Sequence, residues 1–248
     1  TAIDYVNAKP HIGHAFEKVL ADAIARWNIL QGKEIWFVTG TDENAQKNVQ
    51  AAATAGVDTK KFVDTNAMLF VELCKILNIS YDRFIRTTES IHFRKSQETF
   101  KKVYDKGDIY KGNYRGYYCT GCESFITEKD LVNGKCPEHN KKPEYISEEA
   151  YFFRLSKYKN KIVSFVKTSI IPETRRNEII ARLKNEGLKD ICISRKATAV
   201  NWGIDNPIDK KYKIYVWFDA LVNYLTAAKH FWPADLHLIG KDILWFHA

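Results

Sequence analysis

Apolar residues recur along the first part of the chain in two alternating rhythms. Ala2-Ile3-Asp4-Tyr5-Val6 is a short apolar run containing an aromatic, which marks a strand. From Ala15 onward, Phe16, Val19, Leu20, Ala23, Ile24, Trp27 and Leu30 fall three and four residues apart until Gly32 stops them, and this predicts an amphipathic helix. Ile35-Trp36-Phe37-Val38-Thr39 reads as a buried strand running into Gly40-Thr41-Asp42-Glu43. Residues 62–78 and 90–106 carry two more helical patterns, with a short FIRTT strand between them and Gly107 closing the second. Near the end the same grammar returns: KIYVWFDALVNYL reads as strand then helix, and LHLIGKDILWFH as strand, glycine turn and helix. Strands alternating with helices argue for a parallel, doubly wound sheet.

Between these regions the text changes character. From about 108 to 200 it holds Tyr-Gly and Asn-Gly turns, a cysteine cluster and one helical stretch, SKYKNKIVSFVKTS. The expected architecture is therefore α/β: a Rossmann-like doubly wound parallel sheet formed by residues 1–107 and 201–248, interrupted by an insertion over 108–200. Composition fits a soluble globular protein with ample core, at 45% hydrophobic and 27% charged over 248 residues. No apolar run approaches the roughly 20 residues that span a bilayer, and no export signal opens the chain, so the expectation is cytoplasmic, with no membrane partner. The net charge of +8 suits a polyanionic partner, but the lysines are spread along the whole chain, as on a solvated surface.

The cysteines carry sharper information. YCTGCESFITEKDLVNGKCPEH gives Cys119-x2-Cys122 and then Cys136-x2-His139. Two short chelating turns brought together by a hairpin supply the four ligands of a tetrahedral zinc ion, leaving no open position, so the Zn2+ is expected to be structural. Cys74 and Cys192 remain as small buried hydrophobes.

Residues 11–14 read His-Ile-Gly-His, where the carboxyl end of the first strand hands over to a helix amino terminus. Open parallel sheets bind ligands at such points, and free backbone N–H groups with the helix dipole attract anions there. Gly13 has no side chain to block an approaching base, and the two histidines are donors for phosphate oxygens. Neither a Walker loop nor a G-x-G-x-x-G site occurs in the chain.

These residues resemble the HIGH motif of class I aminoacyl-tRNA synthetases. YVNAKPHIGHAFEKVLAD, FVTGTDE, RFIRTTE, YCTGC with CPEH, ISR, YVWFDAL and HLIGKDI, in that order, narrow the resemblance to the methionyl-tRNA synthetase family over essentially the whole chain. The resemblance implies activation of methionine by ATP, with its Mg2+, to methionyl-adenylate and pyrophosphate, followed by transfer to tRNA(Met). It makes residues 108–200 the connective-peptide insertion with its zinc knuckle. It assigns His11, His14 and Lys9 to catalysis, and Gly13, Glu17, Gly240 and Lys241 to the nucleotide. It assigns Ile3, Tyr5, Asp42, Trp217, Ala220, Leu221, Tyr224, Ile243 and His247 to methionine, with Asp42 on the ammonium group and Tyr5 and His247 near the sulfur. Arg195 and Asp242 are expected to form an ion pair behind that pocket. A thioether is unbranched, polarisable and nearly apolar, so aromatics with few polar contacts suit it.

The chain also departs from the family's pattern. Asn44-Ala45 follow GTDE where a histidine or tyrosine and then glycine are common, and the text is short around Thr168 to Pro172 and Lys229 to Phe231. The numbered sequence ends before a KMSKS-like loop or an anticodon-binding domain, so these residues alone are expected to be a poor catalyst. Rival readings are a class I synthetase for leucine, valine or cysteine, a small-molecule nucleotidylyltransferase, and a non-catalytic basic zinc module that binds RNA. Asp42 with the Trp217 to Tyr224 segment argues against the first, the zinc insertion against the second, and the intact histidines against the third.

Overall fold

The computed structural model describes every residue except 123 and 127. The first half runs β1 (Asp4–Tyr5), α1 (Ile12–Leu30), β2 (Val38–Asp42), α2 (Gln46–Thr54), α3 (Thr59–Ile76), β3 (Arg83–Arg86) and α4 (Ser90–Asp105). The three strands form a parallel sheet in the order β1-β2-β3, with Tyr5 opposite Asp42 and Gly40 opposite Ile85. β2 begins at Val38, later than the apolar run from Ile35 suggests, because Phe37 is already engaged by the turn before β3. Its carbonyl accepts the N–H groups of Asp82 and Arg83, and its own N–H donates to the Asp82 carboxylate at 2.7 Å.

The expected face of α1 is reversed. The apolar stripe Phe16, Val19, Leu20, Trp27 and Leu30 is exposed, whereas Lys18, Ala21, Asp22 and Ala25 are buried. Two alanines let the helix lie close to Phe37, just before β2, and the buried charges are paired. Periodicity located the helix; electrostatic pairing chose its inner side.

The second half runs β4 (Ile109–Cys119), β5 (Ser124–Ile126), β6 (Glu144–Phe153), α5 (Lys159–Ser169), α6 (Glu173–Asn185), β7 (Ile191–Cys192), β8 (Ser194–Lys196), β9 (Tyr212–Ile214), α7 (Val216–Ala227) and α8 (Leu244–His247). β4 to β7 make an antiparallel sheet in the order β5-β4-β6-β7, built on the long β4–β6 ladder. Two expectations for the carboxyl-terminal region need correction. β9 pairs antiparallel with β8 and not within the parallel sheet. Residues 236–240 join no ladder among the described residues; a backbone bond from Ala2 N–H to Leu238 O at 3.0 Å ties them to the beginning of the chain. No helix among the described residues is long and apolar enough to cross a membrane.

The core comes together where these pieces meet. Ala45 after β2, Tyr118 of β4, Ile146 of β6 and the Tyr215-Val216-Trp217 start of α7 are buried as one cluster, flanked by Tyr5, Ile243 and Phe246. Burying an aromatic or branched side chain there contributes about 1.5–3 kcal/mol each. The cluster fixes α7 and α8 over the carboxyl ends of β1 and β2.

Candidate active site

A cleft of about 330 Å³ opens at those strand ends. Its lining includes Ile3, Tyr5, Lys9, His11, His14, Asp42, Trp217, Ala220, Leu221, Tyr224, Ile243 and His247, all singled out in the sequence. Asp4, Asn7 and Asn223 also line it and were missed. Asn223 was findable, since it lies three residues beyond Ala220 on α7. Gly13, Glu17, Gly240 and Lys241 do not line the cleft itself.

His-Ile-Gly-His folds into a reciprocal cap. His11 is the N-cap of α1, and its Nδ1 accepts the Gly13 N–H at 3.0 Å, while the His11 N–H donates to Nδ1 of His14 at 3.1 Å. The rings stack with centroids 3.8 Å apart, and His14 meets Phe70 edge-on. With both Nδ1 atoms accepting, a neutral ring at either position carries its proton on Nε2. Burial pushes the His14 imidazole down to about 4, with the nearby His11 ring and Lys18 ammonium acting in the same direction, so His14 is a neutral donor at pH 7. Gly13 serves this arrangement through its missing side chain: a Cβ there would sit 2.9 Å from Cε1 of His11.

Beneath the pair, Lys18 reaches from the inner face of α1 to Asp4 of β1 at 2.8 Å and also to Glu17. Burial opposes the Lys18 charge, but the two carboxylates outweigh it and hold its pKa above the ordinary value. Burial raises the Asp4 carboxyl, and Lys18 works against that rise. Glu17, expected at the nucleotide, is thus turned toward Lys18.

Asp42 is buried at the end of β2, and its carbonyl accepts from the Asn48 amide at 3.1 Å. The next residue anchors the loop: Glu43 is fully buried and bound by Arg86 through both carboxylate oxygens, at 2.7 and 2.9 Å. On the opposite wall, Trp217 stacks on Phe246 at 3.9 Å and meets Tyr5 edge-on at 6.5 Å. The Tyr224 hydroxyl lies 2.9 Å from Nε2 of His247, whose Nδ1 lies 2.9 Å from the Ile243 carbonyl. A carbonyl only accepts, so Nδ1 carries the proton and Tyr224 donates to Nε2. Burial pushes the tyrosine pKa up and the histidine pKa down, keeping the pair uncharged. Both His247 nitrogens are therefore engaged within the protein, and the ring offers the cleft an apolar surface.

The expected pairing of Arg195 with Asp242 is not made. Arg195 of β8 lies 3.2 Å from Glu148 of β6 and over the Tyr118 ring, because the start of β8 is docked against β6 through the Tyr151 N–H and the Ser194 hydroxyl. Asp242 sits in the 3-10 turn Lys241–Ile243.

Cys119, Cys122, Cys136 and His139 converge at the β4–β5 end, with their ligand atoms all within 4.8 Å of one another. All the cysteines are free thiols. Cys122 Sγ is 3.4 Å from Cys136 Sγ and 3.2 Å from His139 Nδ1, close to the roughly 3.8 Å expected between sulfurs bound to one zinc at about 2.3 Å. A Cβ on Gly121 would come within 2.5 Å of the His139 ring, so this glycine makes room for the imidazole. The donor set fits a closed zinc site.

The family model described as class I tRNA synthetases (M) matches residues 1–145 and 129–248. The chain is 48% identical to the methionine–tRNA ligase of Clostridium perfringens over 260 residues, covering all of this chain and 40% of that protein. It is 43% identical to the methionine–tRNA ligase of Thermotoga maritima over 264 residues, covering all of this chain and 42% of that protein. The crystal structure of Mycobacterium tuberculosis methionyl-tRNA synthetase bound by methionyl-adenylate is similar with a TM-score of 0.93 and 44% identity, over 99% of this chain and 52% of that one. The free-state structure of that enzyme gives a TM-score of 0.79 at 39% identity over the same 99% of this chain and 51% of the other. The chain thus spans about 40% of the length of the curated relatives it matches. With a family model matching its whole length and relatives this similar, the chain belongs to the class I tRNA synthetases of the methionine type.

Proposed function

We propose that this chain forms the methionine-activating part of a cytoplasmic methionyl-tRNA synthetase, which joins methionine to AMP and then passes it to tRNA(Met). The observation that carries the reading is one cleft shared by a neutral histidine donor, a buried aspartate and an aromatic wall. The methionine carboxylate attacks the α-phosphate of ATP, a P–O bond to the β-phosphate breaks, and pyrophosphate leaves. No protein nucleophile is needed, so catalysis consists of positioning and of stabilising charge on phosphate oxygens. His11 and His14 present Nε2 donors to those oxygens, and Lys9 at the cleft's edge adds a positive charge. Gly13, Gly240 and Lys241 border the nucleotide, whose Mg2+ arrives with the phosphates. Asp42 takes the ammonium group. Ile3, Tyr5, Trp217, Ala220, Leu221, Tyr224, Ile243 and His247 enclose the thioether.

Cys119, Cys122, Cys136 and His139 would hold a Zn2+ that braces the β4–β5 end without taking part in the reaction. The reading also divides the chain into two Rossmann-like parts, 1–107 and 201–248, and the insertion 108–200. The test is ATP–pyrophosphate exchange by the full-length protein with methionine, leucine, valine and cysteine supplied separately. Exchange with methionine alone is expected. Exchange with another of the four, or with none, would overturn the assignment.

A further inference from the structure

Behind the cleft, a buried polar network joins its two walls. Asp219 sits in the first turn of α7 and is fully buried. Its Oδ1 lies 2.6 Å from Nε2 of His92 on α4, also fully buried, and its Oδ2 accepts from the Asn44 amide at 2.8 Å. Nδ1 of His92 lies 3.0 Å from the Thr226 hydroxyl, about two helical turns further along α7. The Asn44 amide also donates to the Thr87 carbonyl at 3.1 Å. Asn44 is two residues beyond Asp42.

On α7, Trp217, Ala220, Leu221 and Tyr224 share the cleft face, while Asp219 and Thr226 share the face against α4. An amino acid held at its ammonium by Asp42 and at its side chain by the α7 aromatics fits only when loop and helix keep a set separation. The Asn44–Asp219 hydrogen bond fixes that separation. A carboxylate buried this deeply holds its partners firmly, because losing one leaves a charged acceptor unsatisfied.

We infer that Asp219, held on one oxygen by His92 and on the other by Asn44, is a positioning residue that sets the spacing between Asp42 and the α7 wall. It determines amino-acid affinity without touching the amino acid. The inference rests on the methionine-activating reading above.

The experiment uses the full-length protein in methionine-dependent pyrophosphate exchange, measuring KM for methionine, KM for ATP and kcat, with thermal melting alongside. Asn44→Ala is expected to raise the methionine KM by roughly tenfold, leaving the ATP KM within about twofold and kcat within about threefold. Asn44→Ser, which keeps a hydroxyl donor, serves if the alanine variant does not fold. Asp219→Asn, which sets an amide N–H against that of Asn44 while its oxygen still faces Nε2 of His92, is expected to give the same split between the methionine and ATP KM values. A purely structural role predicts a lower melting temperature with no split between the two KM values, and that result overturns the inference. Wild-type protein with no methionine-dependent exchange would instead overturn the functional reading beneath it.

Discussion

The backbone N–H of His11 donates to Nδ1 of His14, and the two rings stack on each other at the start of α1. The motif is thus a helix cap as well as a pair of donors, and the two roles use different nitrogens. His14→Asn separates them. The asparagine oxygen can replace Nδ1 as the cap's acceptor, but nothing replaces the Nε2 donor. The variant is expected to lose about 100-fold or more in exchange rate, with stability and methionine dissociation constant changed little. A weakened methionine affinity with an unchanged rate would contradict the assignment.

The same histidine makes a prediction about acid. Its folded pKa of about 4 lies below the 6.5 of an unfolded histidine, because burial disfavours the imidazolium. Between those values the unfolded chain binds the extra proton and the folded chain does not, so His14 lowers stability as pH falls from about 6.5 toward 4. Above that window the ring is neutral in both states and adds no slope. His237, pushed down to about 4 chiefly by burial, acts in the same sense. Urea melts across this range should show a shallower pH dependence for His14→Asn than for wild type. Equal slopes would show that His14 titrates normally in the folded state.

Gly13→Ala tests the close approach inside the cap. Alanine is the better helix former by about 1 kcal/mol, and the atom its Cβ would meet is on the His11 side chain, which can swing away. The expected protein is as stable as wild type and slower in exchange by at least about tenfold, because the His11 ring leaves its stacked position. Full activity would mean that ring placement is not what the glycine secures.

The zinc knuckle predicts one equivalent of zinc per chain by elemental analysis, lost in Cys122→Ser. Metal loss is expected to lower the melting temperature and leave the methionine KM nearly unchanged, because the site lies at the β4–β5 end and not in the cleft. A zinc content near zero in wild-type protein, with the cysteines still reduced, would remove the metal from the description.

What the sequence disclosed follows from how local each feature is. The histidine pair, the paired chelating turns and the Trp217, Ala220, Leu221, Tyr224 face of α7 are matters of spacing within a few residues, and the structure brings each set together. The face of α1 was misread because an apolar stripe marks a helix without showing which side meets the sheet. The side was decided by Asp4, distant in sequence, drawing Lys18 inward. α6 went unread because its helix is dominated by charged residues, with Ile179 and Leu183 as its buried positions. The Arg195 pairing failed for a related reason. Its partner Glu148 is set by the docking of β8 beside β6, where the Ile193 N–H donates to the Tyr151 carbonyl and the Tyr151 N–H to the Ser194 hydroxyl, and no local pattern in β8 encodes that docking.

That reversed helix supplies the last prediction. The Lys18 side chain is 2% exposed and Asp4 9% exposed, so neither charge is shared with water to any useful extent. Replacing Lys18 by methionine keeps most of the volume but leaves a buried carboxylate facing an apolar chain. The expected cost is about 3–5 kcal/mol at neutral pH. Part of that loss should return in acid. Asp4 already titrates above its unfolded value through burial, and without Lys18 opposing it the shift grows; a raised folded pKa means stability is regained as pH falls and the carboxyl takes up a proton. The double variant Asp4→Asn with Lys18→Met removes the buried pair's charges and should recover much of the stability at pH 7, since the carboxylate then left without the lysine, Glu17, is partly exposed to water. Chemical denaturation of the wild type, the single and the double variant decides the matter. A single variant destabilised by less than about 1 kcal/mol would mean that the pair is solvated and that the inner face of α1 is held by something else, whereas a double variant as unstable as the single would assign the loss to packing and not to charge.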